Sequence, residues 1–480
     1  MKKIVSLLIV LGAVLALACG CGSVDVNKLN PFDYITLGDY KALSVAKMTE
    51  AYNAEREELA SSYKSFNLDY GYTIEMNLVC EIVSGDETST TYTKYDKYCY
   101  TGDKTLTLNI FDDTSDAYRA TFDSALVYKF DQVGGDSTSE GKRTVTIGTA
   151  FDFIYTAPYI EGNAELSGKT LRFTVTPVKV LPPLFTDDDI GDTLDKFFEQ
   201  YSADRTTAGV GDIITADITA KLDGEKLTAM SHKGRTFVLG CSEYAPGFDT
   251  ALTGAEVGKT ATFDVTYPAD WTNENFAGKT VSFEVKLTSA VNYDKAVAAN
   301  TGFDTLYELK EALRVENYAK QNMVNIIYSR STLDTVPKNL YNEYYDHSMN
   351  SIKNDLKEQA DRYTAAGTKT TVSDLITKYW GSQAKLEEYV SSLAKENVLS
   401  TLVCEALLDK LGIEYTEADY AKDLEANAKV YNDAYNTKYS AAEFEKMFNK
   451  NILRLVFVEE VINGVLMKQV NGYPLFDFEE

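Results

Sequence analysis

Histidine is almost missing from this chain. Its 480 residues include two, His232 and His347, far apart in sequence, which all but excludes a histidine-based triad or a multi-histidine metal site. Basic residues are outnumbered, 47 Lys and Arg against 72 Asp and Glu, for a formal net charge of −25. Phosphate backbones are held by clustered Lys and Arg, so nucleic acid is not an expected partner. Cysteine is sparse, and the residues in the body of the chain, Cys80, Cys99, Cys241 and Cys404, match no zinc or redox spacing. Cys80 and Cys99 fall in neighbouring expected strands and read as two buried thiols, with a disulfide as the alternative. Beyond residue 18 no apolar run is long enough for a transmembrane helix.

What is present begins at the N-terminus. Lys2 and Lys3 precede an apolar run from Ile4 to Ala18 that is too short to span a bilayer comfortably. It ends in Ala16-Leu17-Ala18-Cys19-Gly20-Cys21-Gly22-Ser23, which resembles a bacterial lipobox. That resemblance implies a signal peptide over 1–18, acylation of Cys19 (or Cys21), and an extracytoplasmic protein lipid-anchored to the bacterial cell membrane. A plain cleaved signal is the alternative. Residues 19–33 then read as a short polar tether. The length calls for more than one domain, and a hydrophobic content of 44% supplies several cores.

The most regular stretch is 211–291. Alternation of apolar and polar residues marks strands over 213–222, 236–239, 261–267 and 280–287. Between them, Pro246-Gly247-Phe248-Asp249-Thr250-Ala251-Leu252 reads as one amphipathic helix laid across an antiparallel sheet. Upstream come a strand near Tyr34, a helix from about Thr49, and strands in GYTIEMNLVCEIV, GKRTVTIG, FDFIYTAPY and LSGKTLRFTVTPVKV. Three stretches match the later region: Gly71–Ile74 with Gly211–Ile214, Arg143–Gly148 with Arg235–Gly240, and Gly168–Phe173 with Gly278–Phe283. They imply two copies of one fold. The first copy carries a Thr-, Asp- and Tyr-rich insert over about 84–139 and no room between Gly148 and Phe151 for the helix of the second.

Pro182-Pro183 is a rigid break, and Thr186 with Asp189 is spaced as a capping box opening a helix from Asp187 to about Tyr201. From 293 onward the pattern is helical. Leu306, Leu309 and Leu313 share a face, and Val336-Pro337 interrupts before a helix with Tyr341, Tyr344, Ile352 and Leu356. Leu399, Val403, Leu407 and Leu411 recur at helical spacing up to a closing Gly412. Thr416 with Asp419 and Ser440 with Glu443 are two more capping boxes, and a last helix carries Leu453, Val456, Val461 and Val465.

The order FVLG, APGFDTAL, EVGKTATFDVTYPADW, FAGKTVSFEVK resembles the FKBP-type prolyl isomerase domain in its trigger-factor version. FDTLYELKEALR, VPKNLYNEYY, LLDKLGIEYTEADY and the final apolar helix are similar to the C-terminal chaperone region of trigger factor. The resemblance implies an α+β protein with two FKBP-like antiparallel-sheet-plus-helix domains. The first, over 34–182, is degenerate; a connecting helix over 183–204, an isomerase domain over 205–292 and an all-helical chaperone domain over 293–480 follow. It also implies a proline pocket lined by Ile218, Leu227, Phe237, Ala245, Phe248, Trp271 and Phe283, floored by the helix that carries Phe248 and needing no cofactor or metal.

Phe237, Phe248 and Phe283 read also as plain core, since alternating aromatics on strands usually are, with Phe248 and Phe283 evenly divided between core and pocket, whereas Trp271 after Pro-Ala-Asp reads as pocket. His232 reads as a solvated loop residue and Asp217 as surface. Trigger factors open with a basic-aromatic, Gly-rich ribosome-binding signature that has no counterpart here. The expected partners are therefore unfolded or newly secreted polypeptides with X-Pro bonds, not the ribosome. The expected activity is peptidyl-prolyl cis-trans isomerisation joined to chaperone holding. The alternative is a non-catalytic peptide-binding holdase, motivated by Ile218, Leu227 and Ala245, which stand where the family often has bulkier or aromatic groups. A solute-binding lipoprotein, suggested by anchor and acidity, does not fit the repeat.

Overall fold

The computed structural model describes residues 24–476 apart from 69–70, 87–88, 97–98, 102–103, 110–142, 157–168, 241–243, 245–246 and 270–274. Two compact units divide the chain, one from Tyr52 to Asn317, the other made of the residues up to Ala51 with those from Tyr318 on.

The first described residues overturn one expectation. Instead of a loose tether, 24–33 is packed down, with Val26 and Pro31 buried. The Val24 N–H donates to Glu343 (2.7 Å), Asn451 donates to the Val24 carbonyl (2.9 Å), and Arg454 donates to Asn27 Oδ1 (2.8 Å). Val26 and Pro31 are spaced by five in a segment of mixed polarity and leave no periodic trace, which is why the sequence reads as linker. Then come β1 (Ile35–Thr36) and α1 (Val45–Ser61), the helix starting a turn ahead of Thr49.

The sheets are built from alternation. β2 (Ser65–Leu68), β3 (Thr73–Asp86), β4 (Ser89–Lys94), β5 (Leu106–Asn109), β6 (Arg143–Thr146), β7 (Phe151–Thr156) and β8 (Thr170–Leu181) precede α2 (Asp187–Gln200). β9 (Ile213–Leu222), β10 (Glu225–Lys226), β11 (His232–Val238), α3 (Phe248–Leu252), β12 (Thr260–Thr266) and β13 (Thr280–Val291) follow. All pairs are antiparallel, in the orders β4-β3-β8-β7 and β10-β9-β13-β12, with β5 beside β3 and β11 beside β9; β2 and β6 form a separate pair. Ile214, Ala216, Ile218 and Ala220 of β9 are buried, and so are Val281, Phe283, Val285 and Leu287 of β13, so one face of that sheet is core. Asp223 and Gly224, both at positive φ (53° and 85°), make the tight β9–β10 turn, whose twist matches that of the strands.

The two five-stranded sheets are copies in detail. β8 skips Val178 in its pairing with β3, and β13 skips Thr288 in its pairing with β9. Next to each bulge, the Gly148 N–H donates to the Pro177 carbonyl and the Gly258 N–H to the Leu287 carbonyl, both at 2.8 Å. Gly148 therefore stands where Gly258 stands, not Gly240. The match of Arg143–Gly148 with Arg235–Gly240 is corrected accordingly. Arg143–Thr146 pairs with Ser65–Leu68, and the strand beside β3 that answers β11 beside β9 is Leu106–Asn109. Thr-Val-Thr-Ile-Gly and Thr-Phe-Val-Leu-Gly look alike because alternation running into a glycine is generic to strands and does not name the partner strand. A helix answering α3 would precede Gly148, so the expectation that the first copy lacks one falls on 110–142, outside the described residues. Cys80 and Cys99 are free thiols, Cys99 Sγ lying 3.4 Å from the Cys80 N.

The remainder is helical: α4 (Tyr293–Asn300), α5 (Leu306–Tyr328), β14 (Thr332–Leu333, paired with β1), α6 (Lys338–Ala365), α7 (Val372–Trp380), α8 (Gln383–Leu411), α9 (Glu417–Tyr435), α10 (Ala441–Phe448) and α11 (Lys450–Gln469). Capping boxes open α2, α9 and α10 as the spacing predicts: Asp189, Asp419 and Glu443 each accept from the backbone N–H three residues back, all at 2.8 Å. A further one, Thr371 with Asp374, opens α7. Gly412 closes α8 in the left-handed conformation. The protein is α+β, two five-stranded antiparallel sheets with helices followed by a helical region.

Candidate functional site

The site is organised by α3. The chain enters it through Gly247 at φ 86°, and the Ala251 N–H donates to the Gly247 carbonyl at 3.0 Å. Its exit is fixed by ladder-like bonds, Gly254 N–H to the Ala208 carbonyl (2.7 Å) and Ala208 N–H to the Ala255 carbonyl (2.8 Å). Held at both ends, the helix presses Phe248 and Leu252 onto the sheet with no exposure left to either.

Around Phe248 the rings converge. Phe283 lies 5.0 Å away, Phe263 5.5 Å and Phe237 5.9 Å, all edge-on, while Tyr244 stacks on it at 4.5 Å and 19°. Phe263 and Phe283 face each other across β12 and β13. Offset and edge-to-face pairs of this kind add about 0.5–1.5 kcal/mol each beyond their burial. The Tyr267 hydroxyl donates to the Tyr244 carbonyl at 2.7 Å, fixing the backbone that carries the stacked ring. Burial pushes the Tyr267 phenol up to about 12, so it stays a donor, and burial raises Tyr244 as well.

Ile218, Phe248 and Phe283 meet in one cluster and are buried, and Leu227 and Phe237 are half-buried against them. The rings of Phe248 and Phe283 are covered. Ala245 and Trp271 lie outside the described residues. His232 is corrected from a loop residue. It opens β11 opposite Ile218, half-buried, its ring 6.4 Å from that of Tyr244. The pairing shift between His232 and Arg235 breaks the alternation that would have marked it as strand. Asp217 lies on the outer face and accepts from the Gly234 N–H at 2.9 Å. Sequence reasoning missed Tyr244, Phe263 and Tyr267. Phe263 and Tyr267 were legible as the aromatics of the strand paired with Phe283, whereas nothing local to Tyr244 signals its inward turn.

Residues 204–288 match the family model of the FKBP-type peptidyl-prolyl cis-trans isomerases. The chain is 25% identical to the trigger factor of Carboxydothermus hydrogenoformans over 305 residues, covering 60% of this chain and 68% of that protein. It is 26% identical to the trigger factor of Rhizobium johnstonii, covering 51% of each, and 27% identical to that of Halothermothrix orenii, covering 51% of this chain and 59% of that one. A solved structure of the trigger factor chaperone matches 72% of this chain at 13% identity with a TM-score of 0.20, too slight a likeness to bear on the fold. The chain thus contains an FKBP-type domain and is trigger-factor-like over half its length or more, while spanning only about half to two thirds of those relatives.

Proposed function

We propose that the protein is a peptidyl-prolyl cis-trans isomerase joined to a chaperone, acting on unfolded polypeptides outside the cytoplasm and lipid-anchored through Cys19 or Cys21. The observation that carries the isomerase reading is the FKBP-type domain at 204–288, with α3 laid under a cluster of aromatic rings. Rotation about a prolyl bond meets a barrier of roughly 18–20 kcal/mol set by amide resonance. The twisted amide has lost that resonance and is less polar, so an apolar site that excludes water favours it without acid, base or nucleophile. Leu227 and Phe237, half-buried beside α3, border such a surface, and the helical region exposes Tyr363, Tyr379, Tyr389 and Tyr435 to unfolded chain. Joining the two raises the local concentration of substrate at the isomerase.

The second reading is a holdase, and the burial of Phe248 favours it, since a covered floor grips no proline. Isomerisation of a short Xaa-Pro peptide by the full chain, beside suppression of aggregation of an unfolded client, separates the two. Rate enhancement supports the isomerase; its absence with aggregation still suppressed leaves the holdase. Anchoring is tested by membrane fractionation of Cys19→Ser and Cys21→Ser variants, and release to the soluble fraction by neither counts against it.

A further inference from the structure

We propose that Tyr244 is an internal competitor: its ring occupies the seat a substrate proline would take, and binding requires it to swing out. The inference rests on the isomerase-domain reading and names what regulates that site. The ring covers Phe248 face to face at 4.5 Å and meets the edges of Phe237 at 6.0 Å and Phe283 at 6.1 Å. Those are the groups that would line a proline seat, and with Tyr244 in place Phe248 has no exposed surface.

The hydroxyl gives the second argument. It is buried and has no hydrogen-bond partner among the described residues. Buried tyrosines normally find one, and a buried phenol with no partner among the described residues works against the placement that its ring favours. Ring burial holds Tyr244 in, and the orphaned hydroxyl pushes it out. A proline with an apolar neighbour would replace the buried ring surface and return the hydroxyl to water. The Tyr244 backbone stays in place meanwhile, because its carbonyl is held by Tyr267, so the exchange is a side-chain rotation. When only a fraction of molecules has an open seat, apparent affinity falls by that fraction. The substrates this site takes are therefore X-Pro segments flanked by bulky apolar residues, as unfolded chains expose.

The test uses the full chain and a fluorescent peptide containing Phe-Pro, reading both binding and isomerisation, with thermal melts to certify each variant as folded. Tyr244→Ala and Tyr244→Val should bind about tenfold tighter, the open state no longer being taxed. Tyr244→Phe keeps the ring and loses the orphaned hydroxyl, so it should bind a few-fold more weakly than the parent. Folded Ala and Val variants that bind no tighter, from a parent that does isomerise, would overturn the competitor and leave the isomerase standing. Tighter binding without isomerisation in any form upholds the competitor and sinks the isomerase. Binding by none of the four overturns both.

Discussion

The guanidinium of Arg314 fills the space in which a side chain on Gly71 would begin: a Cβ there would lie 2.8 Å from Nη2. Arg314 is 1% exposed and is held by the Phe185 carbonyl (3.1 Å), Glu311 and Asp187. Beside it the buried Arg56 donates to the Pro182 carbonyl at 2.8 Å and to Glu311 at 3.2 Å. Two guanidiniums thus close the edge of the first sheet against α1, α2 and α5. Gly71→Ala must strain a backbone at φ 81° and displace a buried charge, so it should destabilise the 52–317 unit by at least about 2 kcal/mol. Gly224→Ala, at φ 85° with open space around it, should cost about 1 kcal/mol from strain alone. Chemical denaturation of the two variants decides it, and equal losses would show that Arg314 yields freely.

Glu459 on α11 is the second case. Burial raises its carboxyl from 4.5 to about 7. A carboxyl raised on folding contributes stability that is whole below pH 4.5 and lost as pH rises to about 7, roughly 3 kcal/mol in all. Glu459→Gln should therefore be the more stable form at pH 8, with little difference at pH 5. Denaturant midpoints at the two pH values measure it, and a variant that gains nothing at pH 8 refutes the buried-acid account. The capping carboxylates Asp374, Asp419 and Glu443, held low by hydrogen bonds from Thr371, Thr416 and Ser440, titrate below that window in parent and variant alike.

Glu343 is the third. It accepts from the Val24 N–H, from Asn449 (3.0 Å) and from Asn451 (3.1 Å), so one carboxylate clamps the N-terminal segment to α11. Glu343→Ala should cost about 1–3 kcal/mol and expose residues 24–33 to protease. Limited proteolysis read by mass spectrometry reports it; unchanged resistance of that segment would mean that the burial of Val26 and Pro31 and the bonds from Asn451 and Arg454 hold it without Glu343.

Alternation within β9 and β13 and the box spacings Thr186–Asp189, Thr416–Asp419 and Ser440–Glu443 are local facts, set by the pleat and by the orphan N–H groups of a helix start, and the sequence displays them directly. The partner of Arg143–Thr146 is a long-range fact, and no local pattern carries it. The candidate site divides the same way. That Ile218, Phe248 and Phe283 meet follows from strand alternation and a short helix between strands, whereas the stacking of Tyr244 on Phe248 depends on a rotation of one side chain. The packing of Val26 was hidden because a single buried residue has no period.

The clamp on Val24 changes what a lipid on the N-terminal cysteine would mean mechanically. From Cys19 to Val24 a fully extended chain reaches about 17 Å, and from Cys21 about 10 Å. If Cys19 or Cys21 carries the proposed lipid, that reach would tie the unit containing α11 to within about one to two nanometres of the bilayer, and its diffusion would be confined to a thin layer along the membrane surface.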